Sequence, residues 1–283
     1  MTQFSALQHE ADGLSAGLPP LMVEADHLAA SVSLGVHGRR RAGMGESFWQ
    51  FRRYASPDSS SAIDWRQSAK SQHIFVRERE WEAAQTVWFW RDASANMNFK
   101  SGAVSKRGRA DLLLLALASL LVRGGERVGF VGMDGAAAAS RLALTRMGRA
   151  MFAAGNDALP PRAPFARGNQ LVWFSDFLDE GVFEAMQRLS QRGVEGHLVR
   201  IVDPAEEDFP YAGRTRFESP RGESDEIFGR AERVRGAYRA RFTAHGEQIA
   251  EAAMKLGWTC TVHRTDHTPQ ASLIALHAAI GGT

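Results

Sequence analysis

Two apolar runs in this sequence stop on aspartate. Thr86-Val87-Trp88-Phe89-Trp90 breaks into Arg91-Asp92-Ala93-Ser94-Ala95-Asn96-Met97, and the run Gln170 to Phe174 continues into Ser175-Asp176-Phe177. Two further runs end near Asp203 and Asp266. Oxygen donors of this kind, from Asp92, Ser94, Asn96 and Asp176, suit a hard divalent cation such as Mg2+, with water filling the remaining positions. The same residue types also cap turns and helices by accepting hydrogen bonds from backbone N–H groups, so spacing alone leaves both readings open.

Other chemistries lack their supports. No Gly-x-x-x-x-Gly-Lys-Ser/Thr follows a strand, no Gly-x-Gly-x-x-Gly opens a helix, and there is no Gly-x-Ser-x-Gly elbow. The single cysteine, Cys260, rules out an intrachain disulfide framework and reads as a core thiol in a reducing compartment. His263 and His267 stand four apart around Asp266, but the strand before them and Pro269 after them argue for a surface loop rather than a chelating helix. Arg39-Arg40-Arg41 reads as a solvated turn, with a phosphate grip as the alternative.

The elements that must position the aspartates follow a β-then-α order. Strands are expected at Thr86–Trp90, Arg127–Gly132, Gln170–Phe174, Gly196–Val202 and Trp258–His263, with a short one at Arg141–Leu144. Helices are expected at Arg109–Arg123, Met147–Ala154, Glu180–Arg192, Glu232–Leu256 and Pro269–Ile280. Continuous apolar strands alternating with helices predict an α/β fold on a parallel sheet covered on both faces, with functional loops at its carboxyl end. Residues 1–20 read as a flexible arm, 21–84 as a β-rich appendage dense in charge and aromatics, and 85–283 as the main domain.

At 283 residues and 44% apolar composition a substantial core can form, and 34 basic against 32 acidic residues suggest no nucleic-acid partner. No stretch approaches the roughly 20 apolar residues of a membrane span. Neither export nor membrane insertion is expected, and the cytoplasm is the expected setting.

The segment Gly43-x-Gly45-Glu46-Ser47-Phe48-Trp49-Gln50-Phe51-Arg52-Arg53-Tyr54, followed by Ile63-Asp64-Trp65-Arg66-Gln67-Ser68-Ala69-Lys70, resembles the signature of the MoxR-associated domain of unknown function fifty-eight family. Asp92-Ala93-Ser94-Ala95-Asn96-Met97 is similar to that family's Asp-x-Ser-x-Ser-Met element, and Phe174-Ser175-Asp176-Phe177 to its Ser-Asp-Phe element. The resemblance implies a von Willebrand factor A-like, Rossmann-like domain with an N-terminal β-rich appendage. It also implies a metal-ion-dependent adhesion site at Asp92, Ser94, Asn96 and Asp176. Asn96 departs from that motif, which has serine there, and Thr145 is a candidate for its threonine by position alone. The implied partners are a MoxR-type AAA+ ATPase and a client protein.

Three functions are compatible with these residues. A non-enzymatic interaction module would use the carboxyl-end loops, with or without a metal whose coordination a partner carboxylate completes, and Asp64, Trp65 and Arg66 as a second contact. A metal-dependent hydrolase would activate water at Asp92 and Asp176, although no other general base is evident. A degenerate, metal-free structural domain is the third. Trp65 has its own alternative, inward packing as part of a structural clasp.

Overall fold

The computed structural model describes residues 20–33, 48–55, 63–79, 84–163, 165–220, 222 and 225–281. The arm expected over residues 1–20 lies, save for its last residue, outside them, as does the Arg39-Arg40-Arg41 turn. The chain divides into two compact units, residues 37–84 and the remainder.

The larger unit includes helix α1 (residues 20–33), whose Ala25, Leu28, Ala29 and Val32 follow helical steps and are all buried in the main core. Its Asp26 accepts a 2.6 Å hydrogen bond from Ser119 and pairs with Arg123 and Arg141. The appendage expected from residue 21 is therefore corrected: α1 belongs to the sheet unit.

In the smaller unit, β1 (Phe48–Arg53) and β2 (Phe75–Arg79) pair antiparallel, with the four-residue helix α2 (Trp65–Ser68) between them in sequence. Asp64 caps α2, its Oδ1 accepting from the Gln67 N–H at 2.9 Å. Ser68 Oγ donates to the Asp64 carbonyl at 2.8 Å and accepts from the Phe75 N–H at 2.9 Å, tying the helix to β2.

From Gln85 onward the order is β3 (Thr86–Arg91), α3 (Lys106–Arg123), β4 (Arg127–Phe130), α4 (Arg141–Ala153), β5 (Gln170–Ser175), α5 (Val182–Gln191), β6 (Glu195–Val202), α6 (Pro204–Asp208), β7 (Thr215–Glu218), β8 (Asp225–Phe228), α7 (Arg235–Lys255), β9 (Thr259–Arg264) and α8 (Pro269–Gly281). Five strands form a parallel sheet in the order β4-β3-β5-β6-β9, flanked by helices. Every residue of β5 is buried, as a central strand covered on both faces requires. Helix α3 is buried from Ala110 to Leu121 because it packs against the sheet as well as α4 and α8. Gly196 on β6 lies under the Trp258 indole, where a Cβ would overlap the ring.

Two expectations change. Arg141–Leu144 is not a strand: Ser140 caps a single helix by accepting from the Ala143 N–H, and α4 runs unbroken to Ala153. The stretch between β6 and α7, for which the sequence predicts no element, holds α6 and the antiparallel pair β7–β8. Phe217 of that pair stacks on Phe209, which stands 4.7 Å from the Tyr238 ring on α7.

Candidate functional site

After β3 the chain crosses to β4 on one side, then returns to β5 on the other. The loops leaving the carboxyl ends of β3 and β5 therefore diverge, which is where open parallel sheets form their ligand crevice. Asp92 follows β3, Asp176 follows β5, and the Asp92 N–H donates to the Phe174 carbonyl at 2.9 Å. Sheet register brings the two aspartates together.

Each carboxylate turns one oxygen to its own loop. Asp92 Oδ1 accepts from the Ser94 N–H at 2.7 Å, and Asp176 Oδ1 from the Leu178 N–H at 3.1 Å. The turn-capping reading thus holds for one oxygen of each. The other oxygens reach across: Asp92 Oδ2 accepts from Ser175 Oγ at 2.6 Å, and Asp176 Oδ2 from Lys106 Nζ at 2.9 Å. Burial, and then the charge of Asp176, push the Asp92 carboxyl above the ordinary range, opposed by the hydrogen bonds from Ser175 and Ser94. Asn96 lies on the 3-10 turn Ala95–Asn98, its carbonyl accepting from Phe99. Thr145 is not at the site; it lies in α4 with its hydroxyl turned back to the Arg141 carbonyl.

Lys106, the first residue of α3, was not among the expected site residues. Its ammonium is 1% exposed and lies 2.9 Å from Asp176 Oδ2 and 2.5 Å from Glu206 Oε1. Burial lowers its pKa, but the two carboxylates outweigh that and the net shift is upward. Glu206 is held in turn, its Oε2 accepting from the Asp203 N–H at 3.0 Å. Asp203 caps α6 and accepts from the Ser101 N–H at 2.9 Å and from the Ser101 hydroxyl. The neighbouring Arg107 donates to the Ala93 carbonyl, pinning the loop after β3 to α3. Two cations in the first turn of a helix run against its dipole, and that mismatch is the sequence signal that could have found them. Starting the helix at Arg109 hides it.

The residues as folded do not fit a divalent cation. All four oxygens of Asp92 and Asp176 are engaged, and a fixed ammonium stands against Asp176. Among the described residues no group of three or more His, Cys, Asp or Glu side chains is gathered to hold a metal. His263 and His267 do not converge either: His263 is buried on β9, its Nδ1 2.7 Å from Ser272 Oγ, so the surface-loop reading fails for it while His267 is exposed. Asp266 is occupied by Arg264 at 2.9 Å.

Beside the aspartates opens a hollow of 610 Å³ lined in part by Ser94, Ala95, Asp157, Leu159 and Asp179. Its far wall is fastened to β3, to the loop that follows it and to α5. The Ala93 N–H donates to the Asp157 carbonyl at 2.9 Å, Trp90 Nε1 to the Ala158 carbonyl at 3.1 Å, and Arg188 to the Pro160 carbonyl at 3.1 Å. In the smaller unit, Asp64 is structural, whereas Trp65 is 67% exposed rather than packed inward and Arg66 is exposed beside it.

The family model for the protein of unknown function DUF58 matches residues 50–248. The chain belongs to the DUF58 family. The match takes in the Asp64-Trp65-Arg66 helix, both aspartate loops and Lys106. Uncharacterized proteins of Mycobacterium tuberculosis and Mycobacterium bovis are 24% identical to this DUF58 chain over 285 residues, covering 94% of it and 89% of each relative. Among solved structures, the conserved hypothetical protein BatB from Bacteroides thetaiotaomicron matches with TM-score 0.42 and 14% identity, covering 70% of this chain and 98% of that one. An aerotolerance-related membrane protein from Bacteroides fragilis matches with TM-score 0.41 and 16% identity, covering 71% and 100%. Likeness at that level carries no inference. Among the described residues no helix is long and apolar enough to cross a membrane.

Proposed function

We propose that this chain is a non-enzymatic protein–protein interaction module of von Willebrand factor A-like type, a cytoplasmic accessory to a MoxR-type AAA+ ATPase in the assembly or activation of a client protein. The observation that carries this reading is the rim at the carboxyl end of the sheet, where loops after β3 and β5 and the 155–161 segment are fastened by hydrogen bonds around an open hollow. A preorganised concave rim loses little conformational entropy when a partner docks. Trp65, exposed on a capped helix in the segment that resembles the family signature, supplies a second contact.

The test is binding of the purified chain to a MoxR-type ATPase by calorimetry. Asp157→Lys, a change at the rim that leaves the backbone bonds of that segment in place, should weaken binding by tenfold or more with the melting temperature unchanged. Undiminished affinity in both Asp157→Lys and Trp65→Ala would remove both surfaces from consideration.

A further inference from the structure

We propose that the Lys106 ammonium is the resident cation at this end of the sheet, binding Asp176 to Glu206, so that the docking rim works without metal. The proposal deepens the docking reading and rests on it for its purpose.

An ammonium withdrawn from water is tolerated only where opposite charges and hydrogen bonds surround it. Lys106 has both, although it opens a helix whose amino-terminal dipole opposes a positive charge. Asp176 from the end of β5 and Glu206 from α6 take two of its protons, and Phe99 covers it with its ring centre 6.0 Å away. Neither carboxylate is placed by chance: Asp176 is fixed through Leu178, and Glu206 through the Asp203 cap that Ser101 also engages. One positive charge thereby joins the loop after β5, the start of α3 and the segment after β6, a task that a bridging metal performs elsewhere by coordinating carboxylates from separate loops. Asp92 completes no cation shell here; it fastens its own loop through Ser94 and Ser175. The lysine's charge repels any divalent ion approaching Asp176.

The experiment measures melting temperature and Mn2+ binding by electron paramagnetic resonance, in EDTA and in millimolar Mg2+, Mn2+ or Ca2+. Wild type should show no metal-dependent rise and no bound Mn2+ at this site. A rise in wild type that Asp176→Asn abolishes would overturn the proposal. Lys106→Gln leaves Asp176 and Glu206 facing each other without a cation, so its melting temperature should drop in EDTA and recover in part with Mg2+ or Mn2+. Lys106→Arg should stay indifferent to metal. A folded Lys106→Gln protein that no divalent ion stabilises would also overturn the proposal; if that variant does not fold, the wild-type Mn2+ measurement decides alone. Metal indifference together with absent ATPase binding would sink the docking reading and leave the cation assignment standing.

Discussion

The Ser175 hydroxyl donates to Asp92 Oδ2 at 2.6 Å while its oxygen accepts from the Phe177 N–H at 2.8 Å, so one side chain joins the loop after β3 to the turn after β5. Phe177 is fully buried at a left-handed φ of 58°, a conformation that a non-glycine residue holds only when its surroundings fix it. Ser175→Ala deprives a buried carboxylate of one donor and a buried N–H of its acceptor. The expected loss is about 2 kcal/mol in urea unfolding. With a hydrogen bond that lowers it removed, the Asp92 carboxyl should move further upward, readable as a displaced carboxyl titration by NMR. A variant as stable as wild type would show that the hydroxyl does not bridge the two loops.

His263 predicts acid sensitivity. Burial, with help from Arg109 and His267, depresses its pKa from 6.5 to about 4, against the pull of Asp266. Between those values the unfolded chain binds a proton that the native ring does not, so stability falls as pH drops through this window and levels off below it. The contribution is about 2 kcal/mol after allowing for partial hydration of the ring. His263→Gln should flatten the stability profile between pH 6.5 and 4, while His197, also depressed by burial, keeps part of the slope. Identical slopes in wild type and variant would remove His263 from the account.

The helix in the smaller unit separates two roles within three residues. Asp64→Ala removes a cap and should cost about 1 kcal/mol. Trp65→Ala, at a side chain 67% exposed, should change stability by less than about 0.5 kcal/mol. Hydrogen exchange of the Gln67 and Phe75 amides reads the first effect locally. A larger loss from Trp65→Ala than from Asp64→Ala would mean that the indole packs inward after all.

The strand-end aspartates are legible in the sequence because a strand buried on both faces is a continuous apolar run, and its end is marked by the first polar residues. That logic reaches β3, β5 and β6 and so finds Asp92 and Asp176; that the two are neighbours follows from the strand order, and the edge strand β9, with His263 alone buried, does not obey it. Nor can that logic reach Lys106. A lysine next to arginines reads as solvated surface; its place in the first turn of a helix marks it as unusual, and the convergence of Asp176 and Glu206, 30 residues apart in sequence and on different loops, shows it to be buried. The pair β7–β8 escapes for the opposite reason: its residues are largely exposed, so no apolar run announces them. The first turn of α4 reads as a strand because Leu142-Ala143-Leu144 is a short apolar run, and the Ser140 cap is the feature that joins it to the helix expected from Met147.

Of the 21 residues in α7 only Ile249 and Ala253 are fully buried. Much of its hold on the fold is polar or aromatic: Arg235 donates to the Phe209 and Tyr211 carbonyls, Arg200 from β6 lies 4.4 Å from the Phe242 ring, and His245 Nε2 donates to the Phe177 carbonyl at 2.8 Å. A helix anchored this lightly opens locally before the central strands do. The bond it gives up on opening belongs to the residue next to Asp176. Local opening of α7 would free the Phe177 carbonyl, so the turn after β5 depends in part on a helix that contributes nothing to the rim itself.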